Sequence, residues 1–189
     1  MPADISVESI VLRAVDKFDE PLFTQLAERV FGDGARRAAM ERLCPDQAQA
    51  AAQPLPLERV RIGAFDGQQL IGWSHGWRLP GAELYVASSA VLPEYRRLGL
   101  YTRLIAAIEE QAIALGCQRV VSHHYANNNA VLIAKLKAGY MIAGTEFSTE
   151  MGLLVKLVHE LVPARAELFA ARVAPIHVTH QAFLQKSRG

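Results

Sequence analysis

Val-Leu-Pro-Glu-Tyr-Arg-Arg-Leu-Gly-Leu-Tyr-Thr-Arg-Leu, residues 91–104, reads as the end of a strand, a short basic turn and the start of an amphipathic helix. Pro93 closes the extended segment, and Gly99 gives a position without Cβ where main chain can approach a ligand closely. Leu104, Ile105, Ile108, Ala112 and Leu115 recur at helical spacing, so the turn should face the unpaired N–H groups of a helix N-terminus. Such an end carries roughly half a positive charge from the helix dipole and suits a pyrophosphate. Arg96 and Arg97 add two cations capable of bidentate phosphate contacts. A solvated loop capping a helix has the same short pattern, so the weight rests on residues 119–142.

Residues 119–125, Arg-Val-Val-Ser-His-His-Tyr, predict a short buried strand, with Asn127, Asn128 and Asn129 next as turn and N-cap residues. A helix is expected over 130–138 with Gly139 as its C-cap, and Tyr140, Met141 and Ile142 lead into another strand. The order is strand, basic turn, helix, strand, Asn-capped helix, glycine, strand.

Over roughly residues 8–160 this order resembles the GNAT superfamily of N-acetyltransferases. That family's acetyl-CoA signature, Arg/Gln-x-x-Gly-x-Gly/Ala after a Val-x-Pro strand end, is matched by Val91-x-Pro93 and Arg96-x-x-Gly99-x-Tyr101. Tyr101 departs from it, standing where Gly or Ala is usual. The second signature, Asn-x-x-Ala-x-x-x-Tyr-x-Lys-x-Gly-Phe, registers on Gly139, with Asn128 at the Asn, Val131 at the Ala, Lys137 at the Lys and Tyr140 at the Phe. Lys135 falls at the tyrosine, which in the family commonly protonates the departing CoA thiolate. An ammonium there can donate a proton or stabilise the thiolate by charge, whereas a Lys on the wet face of a helix does neither; water, Tyr125 and Tyr101 are the other proton sources.

The resemblance implies a mixed α/β (α+β) fold. Its sheet is central, mostly antiparallel and six- or seven-stranded, with splayed central strands, flanked by about four helices plus a C-terminal helix. Residues 1–162 would form the GNAT-like acetyltransferase domain, and 163–189 a C-terminal helical extension packed on that domain or on a dimer partner. The implied activity is direct acetyl transfer from acetyl-CoA to a primary amine of a small molecule or peptide. Acetyl-CoA is then the co-substrate, with no metal. Its pantetheine arm and thioester carbonyl would meet main chain at Ser89, Ala90 and Val91; the phosphates would meet Arg96, Arg97, Leu98, Gly99, Leu100, Tyr101 and Thr102; Asn128 and Lys135 would add contacts. A GNAT-like module that binds acyl-CoA without turnover is the competing reading.

An alkyl ammonium is not nucleophilic, so a site of this kind must take up its proton. Glu83 and Tyr85 share a strand face by alternation; Glu83 is the preferred base, His75 on the neighbouring strand the second, and Lys135 and Tyr85 complete the catalytic candidates. Each has a structural alternative, as a solvated strand start for Glu83 and a satisfied sheet residue for His75. His123 and His124 alternate at a strand end, so one should face the core and the other the cleft, where a structural role is expected of both. Glu146 and Glu150 can attract a cationic amine at a cleft mouth or serve as ordinary turn carboxylates. Substrate choice is expected from the first two helices and the 146–152 turn.

The 189 residues, 51% of them hydrophobic, suffice for one domain with a sizeable core. A net charge of +1 gives no general attraction to nucleic acid or membranes. No apolar run is long enough to span a bilayer and the start lacks signal-peptide character, so a cytoplasmic protein is expected. Cys44 and Cys117 lack metal-type spacing and read as reduced thiols, and His177 and His180 lack the companions a zinc site needs. Elsewhere a strand is expected at 9–13, a helix at 20–31 with Leu22, Leu26 and Val30 on one face, and a second helix at 38–52 before Pro54 and Pro56. Alternation at Val60, Ile62 and Ala64, the Asp66-Gly67 and Pro80-Gly81 turns, and the segments 70–77 and 84–91 predict antiparallel strands. A last strand pair is expected at 140–145 and 153–159, then a helix at 164–173.

Overall fold

The computed structural model describes residues 7–43 and 57–173. In chain order the elements are β1 (Ile10–Ala14), α1 (Leu22–Phe31), α2 (Gly34–Leu43), β2 (Arg59–Asp66), β3 (Gln69–Leu79), β4 (Glu83–Val91), α3 (Leu100–Ala114), β5 (Arg119–Tyr125), α4 (Asn129–Lys137), β6 (Met141–Ser148), β7 (Gly152–Glu160) and α5 (Pro163–Val173). Seven strands form one sheet in the order β1-β2-β3-β4-β5-β7-β6. Every neighbouring pair is antiparallel except β4 and β5.

That exception organises the molecule. The parallel pairing runs only from Glu83↔Arg119 to Val86↔Ser122, although β4 continues to Val91 and β5 to Tyr125. Beyond Val86 and Ser122 the two strands part, which is the expected splay of the central strands. A bulge opens it: β3 and β4 lose register between His75↔Ser88 and Gly76↔Val86, leaving Ala87 as the extra residue. Gly76 permits the bulge, since a Cβ there would fall on the Tyr85 carbonyl oxygen.

Helix α3 covers one sheet face, burying Leu104, Ile105, Ile108 and Ala112 at 0–3% exposure; each such Leu or Ile contributes about 2 kcal/mol of transfer free energy. Leu104 lies against Gly72, so the next residue, Trp73, points to the opposite face. There the Phe23 ring of α1 meets Trp73 edge-on, 5.2 Å between centroids. The α1 stripe is therefore Phe23, Leu26, Ala27 and Val30. Leu22, expected on it, is the first residue of the helix and is 46% exposed.

The strand at 119–125 falls where the sequence puts it, and α4 and α5 lie within one residue of expectation. The second helix begins at Gly34, four residues before its expected start, and is described to Leu43; the rest of the expected 38–52 helix, Cys44, Pro54, Pro56, His177 and His180 lie outside the described residues. β6 and β7 run on to Ser148 and from Gly152, so the expected long turn shrinks to the residues between them. Cys117 is buried and unbridged. The C-terminal helix α5 is tied to the end of β7 by Arg165 Nε, which donates to Glu160 Oε2 at 2.8 Å.

Candidate active site

The basic turn joins the bulged strand to α3. After a short 3-10 turn at Pro93–Tyr95, Arg97 and Gly99 adopt left-handed φ of +66° and +74°. Gly99 is the N-cap of α3 and brings no capping side chain, so the first N–H groups of the helix remain available to a ligand. A Cβ added at Gly99 would meet nothing within 4 Å, so the residue serves backbone conformation and open access. Arg96 and Arg97 are exposed, and Arg96 Nε donates back to the Val91 carbonyl at 3.2 Å. The turn is braced from three sides: Tyr95 Oη donates to Asp66 Oδ2 at 3.0 Å, Arg29 pairs with Glu94 through two 3.1 Å contacts, and Arg103 Nη2 donates to the Ile10 carbonyl at 2.9 Å.

Of the remaining residues expected at the turn, Leu98 is half-buried, Leu100 is buried in the core and Thr102 is exposed. Tyr101 points inward. Its ring packs against the core and its hydroxyl is buried without a hydrogen-bond partner, so the bulky departure from Gly or Ala leaves the turn clear. Burial pushes its phenol pKa well above the ordinary tyrosine value. Ser89, Ala90 and Val91 lie on β4 beyond its last rung with β5, so their β5-facing backbone edge is unpaired by that strand. The Ser89 hydroxyl is 2.7 Å from that of Ser74. Asn128 acts as the N-cap of α4, with Oδ1 accepting from Val131 N at 3.4 Å.

Behind the split, on the α3 side, lies a buried polar cluster. Lys135 is 1% exposed, with Nζ 3.9 Å from the centroid of the Tyr140 ring and without a hydrogen-bond partner. The wet-helix-face reading of Lys135 is thereby overturned. Desolvation lowers its pKa from 10.5 to about 8, with Glu109 acting in the opposite direction. Glu109 Oε1 is 2.8 Å from His159 Nδ1. His124 Nε2 is 2.9 Å from Ser122 Oγ, and burial, Lys135 and His123 together lower its pKa to about 4.

In front of the split is a cavity of about 520 Å³ whose wall includes Trp77, Glu83, Tyr85, Ala87, His123 and Glu146. The rings of Trp77 and Tyr85 are 5.3 Å apart and those of Tyr85 and His123 5.7 Å. Glu83 and Tyr85 thus share a face as expected. Glu83 Oε2 accepts from Arg119 Nε at 2.7 Å, so this carboxylate is already engaged. His75, the second base candidate, lies apart from this wall, under α1 with the Phe18 and Phe23 rings 6.0 Å away. Its pKa falls to about 4 through burial and the charges of Arg61 and Arg59, and its place is that of a packed sheet residue. The two adjacent histidines divide as alternation requires: His124 faces the helices and His123 the cavity. Glu146 also lines the cavity, whereas Glu150 accepts from Ser148 Oγ at 2.7 Å in the β6–β7 turn.

Residues 22–140 match the acetyltransferase (GNAT) family. No curated protein matches the chain significantly. Among solved structures, similarity extends to a putative streptothricin acetyltransferase from Bacillus anthracis in complex with acetyl coenzyme A, at 21% identity and TM-score 0.52, covering 59% of this chain and 65% of that one. The match thus spans slightly less than two thirds of that protein's length. The Escherichia coli ribosomal-protein-S18-alanine N-acetyltransferase matches at 14% identity and TM-score 0.61, over 80% of this chain and 94% of its own. A Bacillus subtilis acetyltransferase in complex with CoA matches at 13% identity and TM-score 0.59, over 81% and 99%. At these identities the likeness is one of fold.

Proposed function

Because the chain belongs to the acetyltransferase (GNAT) family, we propose that it transfers an acetyl group directly from acetyl-CoA to a primary amine of a small molecule or peptide. The observation that carries this reading is the junction of two features: β4 and β5 part after Val86↔Ser122, and the uncapped N-terminus of α3 stands at the end of the same β4. The residues present fit the donor. Free N–H groups from Leu100 to Thr102, with Arg96 and Arg97 beside them, suit a pyrophosphate. The open edge of Ser89, Ala90 and Val91 suits an extended pantetheine arm that pairs as a strand does.

In this reading the thioester lies between the buried cluster and the front cavity. Lys135 serves the departing sulfur from behind, as proton donor or as counter-charge. A pKa near 8 keeps a large share of the amine protonated at neutral pH while leaving the proton easily given up. Asn128 orients α4 by capping it, which fixes the helix that carries Lys135. The acceptor enters through the front cavity, where Tyr85 and Trp77 offer ring faces and Glu83 and Glu146 offer carboxylates to a cationic amine.

Calorimetric titration with acetyl-CoA of the wild type and of an Arg96→Ala, Gly99→Glu variant tests the donor site. Binding by the wild type with loss in the variant is expected; equal binding by both would remove the phosphate turn from the reading. Retained binding with no thiol release toward any amine would favour the acyl-CoA-binding module instead.

A further inference from the structure

We propose that His123, not Glu83, accepts the proton that the acceptor ammonium must lose before attack. This assignment rests on the acetyl-transfer reading and adds to it the group that activates the nucleophile.

Position is the first support. The β4–β5 ladder ends at Val86↔Ser122, so His123 is the first β5 residue past the last rung, and by alternation it is on the cavity side. Facing it across the opening on β4 is Ala87, the bulged residue, which lines the same cavity and fills it with no more than a methyl group. An amine moving from the cavity into the split must therefore pass beside the imidazole. Among the described residues, no other titratable side chain of the cavity wall stands at that threshold on β4 or β5: Glu83 and Tyr85 lie within the paired part of β4.

Availability is the second. His123 Nε2 makes no hydrogen bond, and the nearest carboxylate oxygen, Glu146 Oε2, is 3.4 Å away, too long for a strong one. Glu83, by contrast, already accepts from Arg119 at 2.7 Å. The groups facing His123 are Glu83 and Tyr85 from β4, Glu146 from β6 and Lys156 from β7, while His124, next on its own strand, points to the other side of the sheet. Burial, the largest influence, and Lys156 lower its pKa below 6.5, while Glu146 and Glu83 act upward. The ring is then neutral at neutral pH, the form that takes a proton. Glu146, on the outer strand β6 with its side chain 61% exposed, offers that proton a way out to solvent.

The balance closes. One N–H proton of the ammonium goes to the imidazole, and the freed lone pair forms the C–N bond to the thioester carbonyl carbon. The C–S bond breaks, and the sulfur leaves as thiolate. The second proton lost by the amine as it becomes an amide balances the proton that the thiolate takes up. The products are the amide, the free thiol and one proton released through His123.

The test uses acetyl-CoA with tyramine, spermidine and a lysine-containing tripeptide as acceptors, reading thiol release from pH 5.5 to 9.5 at saturating amine. For any amine the wild type accepts, kcat should fall off at low pH along a limb of slope one. In His123→Gln that limb should vanish and kcat should drop about 10²-fold or more, the usual worth of a positioned base. The KM for acetyl-CoA and the melting temperature should stay close to those of the wild type, and added imidazole should restore part of the rate to His123→Ala. If His123→Gln keeps kcat within threefold, or keeps the same acid limb, the assignment is overturned and acetyl transfer stands. If the wild type binds acetyl-CoA yet acetylates none of the three amines, acetyl transfer itself is what fails, and this role falls with it.

Discussion

Replacing Lys135 with methionine should make the protein more stable and less active, and the stability part can be worked from the structure. In the fold Lys135 is 1% exposed, and its ammonium makes no hydrogen bond and lies 3.9 Å from the centroid of the Tyr140 ring. Desolvation lowers its pKa from 10.5 to about 8, and at roughly 1.4 kcal/mol per tenfold this costs folding about 3 kcal/mol wherever the amine is charged in both states. Between these two pKa values the unfolded chain holds the proton and the folded chain does not. Stability from this group therefore rises with pH, from a full penalty below pH 8 to none above 10.5. Methionine has nearly the same length and carries no such penalty. Urea denaturation of both proteins at pH 7, 8, 9 and 10 isolates the effect, since other titrating groups cancel in the difference. The advantage of Lys135→Met should shrink by about 2.5 kcal/mol between pH 7 and pH 10. A gap constant to within about 0.5 kcal/mol would refute the buried-ammonium argument. The same variant should lose about 10²-fold in kcat with little change in the KM for acetyl-CoA, the scale of a lost proton donor; Lys135→Tyr should recover part of it.

Gly76→Ala should be the most damaging small substitution in the sheet, because its methyl would fall on the Tyr85 carbonyl oxygen and only main-chain movement could make room; a loss of about 3 kcal/mol or more by urea denaturation is expected. Glu83→Gln removes a charged partner from the 2.7 Å contact with Arg119, whose side chain is 38% exposed. It should cost about 1 kcal/mol and leave kcat within a few-fold, whereas a Glu83 base would lose about 10²-fold. His124 is held neutral, its pKa lowered from 6.5 to about 4, so the unfolded chain takes up a proton in that interval and the folded chain does not. Stability should then decline as pH falls from 6.5 toward 4, and more gently in His124→Gln, as parallel acid titrations followed by circular dichroism will show.

The sequence speaks clearly where local chemistry and tertiary position agree. Residues 91–104 carry their own punctuation, with Pro93 ending a strand and Gly99 opening a helix, and both stand where the motif puts them. The α3 stripe is equally plain because its apolar residues meet a sheet across their whole length. Helix α4 is the opposite case: Ile133 and Leu136 are 53% and 43% exposed while Lys135 is buried. A reading based on apolar periodicity inverts this helix, since burial of an ammonium goes against the propensity that such a reading relies on. The Ala87 bulge is likewise silent, because its cause is the absence of a side chain at Gly76 on another strand, and pairing across strands is not written in either segment. For the same reason Glu83 reads as a free carboxylate; its partner Arg119 is 36 residues away and meets it only through the parallel register.

That register also explains how one short stretch of β5 serves both sides of the split. Side chains on a strand alternate, so where two strands part, consecutive residues on one of them look into opposite halves of the opening. Ser122 is the last paired residue, and His123 and His124 come directly after it. His124 turns toward Lys135 and the helices, where acetyl transfer would put the departing sulfur; His123 turns toward the cavity, where it would put the amine. Both rings are kept neutral, chiefly by burial, but His123 Nε2 makes no hydrogen bond, whereas His124 Nε2 is 2.9 Å from Ser122 Oγ. Exchanging the partners tests whether this asymmetry sets the direction of proton flow. Ser122→Ala should free His124 while leaving His123 unchanged, and so alter acid stability far more than the acid limb of kcat. An equal effect on that limb would mean that the two rings act as one unit and that alternation alone does not separate their roles.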